Sequence, residues 1–147
     1  MALRTVRVDE DPILRKISKE VKEITPRTSI LIQDMIDTMV ELNGVGLAAV
    51  QVGILKRIFV VDIQDGAGYK VFVNPEIIEN EGVEIGIEGC LSLPGRTGDV
   101  ARSKSITIKA MNEKGEDFEL IASGFLARAI QHENDHLNAK LFIDHIK

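Results

Sequence analysis

The sequence has a single cysteine, Cys90, and no long apolar run. One cysteine excludes an intramolecular disulfide, so nothing indicates a secreted, disulfide-stapled design. No apolar stretch approaches the roughly 18 residues of a membrane-spanning helix. The first residues lack the apolar core of a signal peptide, and their acidic side chains do not suit an organellar presequence. We therefore expect a cytoplasmic protein that does not bind membranes.

An excess of positive charge is also absent. The formal net charge is −5 at pH 7, which argues against a specific or general nucleic-acid binder. There is no internal repeat, low-complexity stretch or linker. The 147 residues, of which 44% are apolar and 28% charged, suit one globular domain over residues 1–147, which we expect to be monomeric.

Apolar periodicity and turn residues predict two helices and two β-hairpins. An amphipathic helix is expected within residues 25–44, because apolar side chains recur there at helical spacing. Segments 57–63 and 69–73 flank a glycine-rich turn and predict a β-hairpin, and segments 105–111 and 117–121 predict a second one. A last helix should begin after Ser123. The fold class predicted is α+β, with short antiparallel sheets wrapped around this central helix.

The last helix contains a His-Glu-x-x-His pentad, from His132 to His136. Side chains four residues apart share one helical face, so both imidazoles can bind the same metal ion. Glu133 stands beside them and can act as a general base. A catalytic ion of the zinc type usually takes three protein ligands and leaves one position for water, so a third ligand is required.

Two candidates exist for the third ligand. The common metallopeptidase continuation is absent, because Ala139 and Phe142 stand where glycine and histidine are needed, and only eleven residues follow His136. Cys90 and His145 remain. A thiolate with two imidazoles is a recognised open catalytic set, which favours Cys90. A closed shell that included His145 would instead be a structural metal site.

Three motifs together resemble those of the peptide deformylases. They are Gly-Val-Gly-Leu-Ala-Ala-Val-Gln at 44–51, Glu-Gly-Cys-Leu-Ser at 88–92 and Gln-His-Glu-Asn-Asp-His at 131–136. The resemblance implies that Cys90, His132 and His136 hold the metal and that Glu133 is the general acid and base. A zincin-like metallopeptidase and a non-catalytic structural metal domain are the alternatives.

The resemblance also implies a reaction. Metal-bound water loses a proton to Glu133 and attacks the formyl carbon of an N-formylmethionyl nascent peptide, which releases formate. The side-chain amide of Gln51 and the backbone N–H of Leu91 are the expected donors to the oxyanion. The residues expected to contact substrate are Gly44, Val45, Gly46 and Arg128.

Several of these residues have a second interpretation. The glycines of the first motif either end a helix and allow close packing or make room for a substrate backbone. Arg128 either contacts substrate beyond the methionine or points to water. Asp135 either orients a ligand imidazole or is a solvated helical acid. His145 is expected at the surface, and a Glu88–Arg102 pair is expected to fix the Cys90 segment.

The resemblance implies iron(II) as the native ion, with zinc often found, while nickel and cobalt also suit the ligands. An iron–thiolate site would be sensitive to oxidation at Cys90. Family members often carry glycine where this chain has Ala139, so we expect no left-handed backbone there and a slightly longer helix. Many bacterial relatives extend into a ribosome-binding C-terminal helix. With little chain after the pentad, ribosome association by that route is not expected, although nascent chains remain the expected substrates.

Overall fold

The first helix has clear sequence signals at both ends. The computed structural model describes residues 2–146, and helix α1 spans Pro26–Glu41. Thr25 Oγ1 accepts a hydrogen bond from the Thr28 backbone N–H at 3.2 Å, and proline occupies the first turn. After the helix, Asn43 adopts a φ of 55° and the Gly44 N–H donates to the Met39 carbonyl. The predicted helix is confirmed.

A five-stranded antiparallel sheet forms one layer of the fold. Its neighbouring strands, in order across the sheet, are β1 Gly46–Ala48, β2 Ile58–Val61, β3 Lys70–Glu81, β6 Ser105–Met111 and β7 Asp117–Ser123. Both predicted hairpins are confirmed. Strand β3 extends well past its predicted end near Val73, because a register shift between Val73 and Glu76 accommodates Pro75 without ending the strand.

The structure also contains a separate two-stranded sheet that was not predicted from the sequence. Strands β4, Glu84–Cys90, and β5, Leu93–Arg102, pair antiparallel as a separate two-stranded sheet. Pro94 and the glycines of these strands are residue types that strands usually disfavour, and they hid the pattern. A register shift between Gly89 and Cys90 ends the regular pairing. The hairpin thereby places the thiol of Cys90 at its tip.

Helix α2, Gly124–Leu137, packs against β1 and β2. Ala127, Ile130 and Leu137 are fully buried in a core that includes the stacked rings of Phe59 and Phe72. Ser123 precedes the helix as predicted, but its hydroxyl bonds to the Ser105 hydroxyl at 2.8 Å instead of capping a helical N–H. None of the helices within residues 2–146 is long and apolar enough to cross a membrane.

The expectation for Ala139 was wrong. Helix α2 ends at Leu137, and Ala139 adopts a left-handed φ of 64° although it is not glycine. The Lys140 N–H donates to the Asp135 carbonyl at 2.9 Å, which closes the end of the helix in the manner of a Schellman motif. The side chains of Leu141 and Phe142, which follow, are buried. Their burial stabilises the left-handed backbone conformation of Ala139.

Candidate active site

The three predicted ligands converge between the tip of β4 and helix α2. Sulfur of Cys90 and one nitrogen each of His132 and His136 all lie within 4.8 Å of one another. Cys90 Sγ is 3.4 Å from His136 Nε2. His145 is outside this group, and its Nε2 is 2.9 Å from a carboxylate oxygen of Asp135. A closed four-ligand shell is therefore absent from the described residues.

Glu88 fixes the orientation of the His132 ring. His132 Nδ1 lies 2.8 Å from Glu88 Oε1, so that nitrogen is occupied and Nε2 is left for a metal. The predicted Glu88–Arg102 pair is confirmed as two hydrogen bonds of 2.8 Å each. Burial raises the pKa of Glu88, but the hydrogen bonds from Arg102 and His132 outweigh it and hold the pKa well below its usual range. Glu88 is thus a buried carboxylate anion.

The sequence did not assign this orienting role to Glu88. Glu88 and Cys90 are two residues apart in β4, and side chains at that spacing share one face of a strand, which was the available signal. Asp135 does not touch a ligand imidazole. Its carboxylate accepts from Arg102 Nη1 at 2.6 Å and contacts His145, so neither interpretation given from the sequence was right.

The pKa values of the two predicted ligand imidazoles are shifted in opposite directions. Burial lowers the pKa of His132, but the charge of Glu133 and the hydrogen bonds with Cys90 and Glu88 raise it, to about 10 overall. Burial, together with the charge of His132, lowers the pKa of His136. A metal ligand must be deprotonated at the donor atom, so binding of a cation here releases a proton.

Glu133 lies beside the ligand group with only 4% of its surface exposed. Its Oε1 is buried without a hydrogen-bond partner in the described part of the chain, and its Oε2 is 3.9 Å from His132 Nε2. Burial raises the pKa of Glu133 to about 7, although the charge of His132 opposes this. A carboxylate with a pKa near neutrality is well matched to both accepting and returning a proton.

Gln51 is held beside Cys90 by hydrogen bonds. It belongs to a 3₁₀ turn, Ala49–Val52, and its Oε1 accepts from the Ala48 N–H at 2.9 Å. This bond directs the amide nitrogen toward the site, where it donates to Ser92 Oγ at 3.0 Å and lies 3.5 Å from Cys90 Sγ. Leu91 follows Cys90 directly, and Leu91 and Gln51 line one cavity.

A cavity of about 480 Å³ opens over these groups. Apart from His136, which is fully buried, every site residue predicted from the sequence lines it. Ile87 and Phe125 form an apolar part of its mouth. Phe125 has 52% of its surface exposed at this mouth.

Arg128 does not point to water. It is buried and donates to Glu88 Oε2 at 2.7 Å, to the Val100 carbonyl at 2.9 Å and to the Glu84 carbonyl at 2.7 Å. These bonds tie α2 to both strands of the β4–β5 hairpin. Contact of Arg128 with substrate stays a prediction.

The α+β fold and this site define a class, the metal-dependent hydrolases. The family model described as polypeptide deformylase matches residues 3–147. Peptide deformylase 1 of Clostridium perfringens is 59% identical over 145 residues, which cover 99% of both chains. The chain belongs to the polypeptide deformylase family, and it is an enzyme that removes the N-terminal formyl group from nascent peptides.

Solved structures agree with this assignment. The crystal structure of peptide deformylase from Thermotoga maritima is 44% identical with a TM-score of 0.96, covering 100% of this chain and 99% of that chain. The Met-Ala-Ser-bound class I type b peptide deformylase from Acinetobacter baumannii is 36% identical with a TM-score of 0.94, covering 99% of each chain. The predicted fold class is confirmed.

Proposed function

We propose that Cys90, His132 and His136 hold one divalent metal ion that serves formyl hydrolysis. The observation that carries this is the convergence of three ligand atoms within 4.8 Å beside a buried carboxylate. The donor set suits the ion, because Glu88 occupies the Nδ1 of His132 and leaves Nε2 available. When bound, such an ion lowers the pKa of coordinated water and polarises a carbonyl group.

Glu133 acts as the general base and then the general acid. It accepts a proton from the water that attacks the formyl carbon, and it returns this proton to the amine when the carbon–nitrogen bond breaks. The products are formate and a peptide with a free amino terminus. The buried position of Glu133 and its unpartnered Oε1 support this role.

Gln51 and Leu91 supply the donors for the oxyanion of the tetrahedral intermediate. The Gln51 amide is held by its bond from Ala48, and its nitrogen lies 3.5 Å from Cys90 Sγ, which places a donor close to an oxygen formed beside that ligand. The Leu91 N–H adjoins the same ligand. One donor of this kind typically contributes about 3 to 4 kcal/mol to transition-state stabilisation.

The substrate methionine side chain binds at the apolar mouth of the cavity. Val45, Ile87 and Phe125 are apolar side chains that line this cavity. The Acinetobacter baumannii relative was crystallised with Met-Ala-Ser bound, which supports a peptide with this start as ligand. Gly44 and Gly46 border the same space, and Arg128 supports it from below through its bonds to β4.

The remaining parts of the proposal concern the identity of the metal ion, the oligomeric state, the location, the domain organisation and the substrates. Iron(II) is the proposed native ion because membership of the family implies it, and the thiolate and imidazole ligands suit both iron(II) and zinc. We also propose a monomeric, cytoplasmic enzyme made of one catalytic domain over residues 1–147. Nascent chains are its substrates, and ribosome association stays a prediction.

The experiment compares two cleavage reactions under anaerobic conditions after loading with iron(II). Formyl-Met-Ala-Ser and unformylated Met-Ala-Ser are incubated with the enzyme, and formate and new amino groups are measured. We expect one formate per new amino group from the first peptide and no cleavage of the second. Cleavage of internal peptide bonds without formate would contradict the proposal and indicate a peptidase.

A further inference from the structure

We infer that Gly46 is a positioning residue for the general base: the side chain it lacks leaves the space that the Glu133 carboxylate occupies. The inference rests on the proposed role of Glu133. The sequence analysis gave close packing as one interpretation of these glycines, and the structure names the group that packs against Gly46 as Glu133.

The contact is very close. A Cβ atom built on Gly46 would lie 2.9 Å from both Cγ and Cδ of Glu133, and closer still to Oε2. Real Cβ atoms essentially never approach heavy atoms within 3.0 Å, so any side chain at this position forces one of the two residues to move.

The backbone of Gly46 is poorly able to move. Gly46 pairs with Val61 in the sheet, and the adjoining Val45 carbonyl accepts from the Asp62 N–H at 2.9 Å. The partner strand β2 is fully buried between two other strands. The Glu133 side chain therefore has to yield, because it ends in a carboxylate whose Oε1 no group in residues 2–146 holds by a hydrogen bond.

Backbone conformation does not explain this glycine. Gly46 lies in strand β1 and lacks the positive φ that Gly53 adopts a few residues later. An alanine at position 46 would be acceptable for the backbone alone. The requirement for glycine is thus one of space beside Glu133.

The test is a double-mutant cycle of the metal-loaded enzyme with Gly46→Ala, Glu133→Ala and both together. With Glu133 present, Gly46→Ala should lower Tm by about 3 to 10 °C, as overpacking does in a domain of this size. With Ala at position 133, the clash partners are gone and the same change should leave Tm unchanged or raise it. If the single variant fails to fold, a folded double variant supports the inference.

Kinetics supply the second measurement. Gly46→Ala should lower kcat for formyl-Met-Ala-Ser about a hundredfold, the size expected for a displacement of a catalytic group by about 1 Å. Bound metal should stay at the wild-type value, because none of the three proposed ligands changes.

Gly44→Ala is the matched control. Its new Cβ would meet Leu91 Cδ1 at 2.8 Å and not Glu133, so its effect on Tm should be the same with glutamate or alanine at position 133. A Gly46→Ala variant with wild-type kcat, or one whose Tm loss is equal in both backgrounds, would overturn the inference. Absence of formate release by the wild type would instead count against the proposed function, and the Tm cycle would still test the contact.

Discussion

At the scale of single residues, Glu88 organises the site most extensively. Its Oε1 accepts from Arg102 and contacts His132, and its Oε2 accepts from Arg102 and Arg128. One buried carboxylate therefore pairs with two buried guanidinium groups and orients His132, a proposed metal ligand. Removing one partner of such a network leaves buried charge without compensation, which typically costs about 3 to 5 kcal/mol.

Glu88→Gln tests this role because it keeps the shape of the side chain and removes its charge. We expect metal affinity to fall about 10- to 100-fold, the usual cost of losing the partner that orients a ligand histidine. Chelator competition measures it. Asp135→Asn is the matched control, since Asp135 touches Arg102 but no ligand, and its effect should be much smaller. Wild-type metal affinity in Glu88→Gln would contradict the assignment.

At the scale of secondary structure, elements with a regular apolar spacing could be predicted from the sequence. A strand pair interrupted by glycine and proline could not. Helix α1 and the two hairpins of the larger sheet followed from apolar spacing and turn residues. The β4–β5 hairpin did not, because Gly86, Gly89, Pro94 and Gly98 obscure its alternation. This hairpin carries Glu88 and Cys90, so the missed element is the one that completes the site.

The conformation of Ala139 at the end of α2 leads to a prediction about the stability of the protein. Ala139 in a left-handed conformation costs about 1 to 2 kcal/mol relative to glycine, part of which the greater freedom of glycine in the unfolded chain offsets. Ala139→Gly should therefore raise the free energy of unfolding by up to about 1 kcal/mol, measured by urea denaturation. Ala101→Gly in strand β5, where φ is not positive, should instead lower it. A loss of stability in Ala139→Gly would refute this account of the helix end.

At the scale of the whole molecule, the fold gathers three motifs that are distant in sequence. Gln51 comes from a turn after β1, Cys90 from the tip of β4 and His132 from α2, and all three line one cavity. The residue types and the helical spacing of the pentad predicted that His132 and His136 share one face beside Glu133 and that Cys90 is the favoured third ligand, and the structure brings these residues together. The residue types and spacing could not predict the contact of Gly46 with Glu133 or the apolar mouth at Ile87 and Phe125, since both arise from packing between distant elements.

The central claim is that Glu133, without binding the metal, performs the proton transfers of formyl hydrolysis. The most direct measurement is formate release by Glu133→Gln, made on samples whose metal content has been determined. We expect wild-type metal content, because Glu133 is not one of the converging ligands, and a loss of kcat of about 10² to 10⁴, the range for general acid–base catalysis. Wild-type formate release, or loss of the metal, would contradict the account.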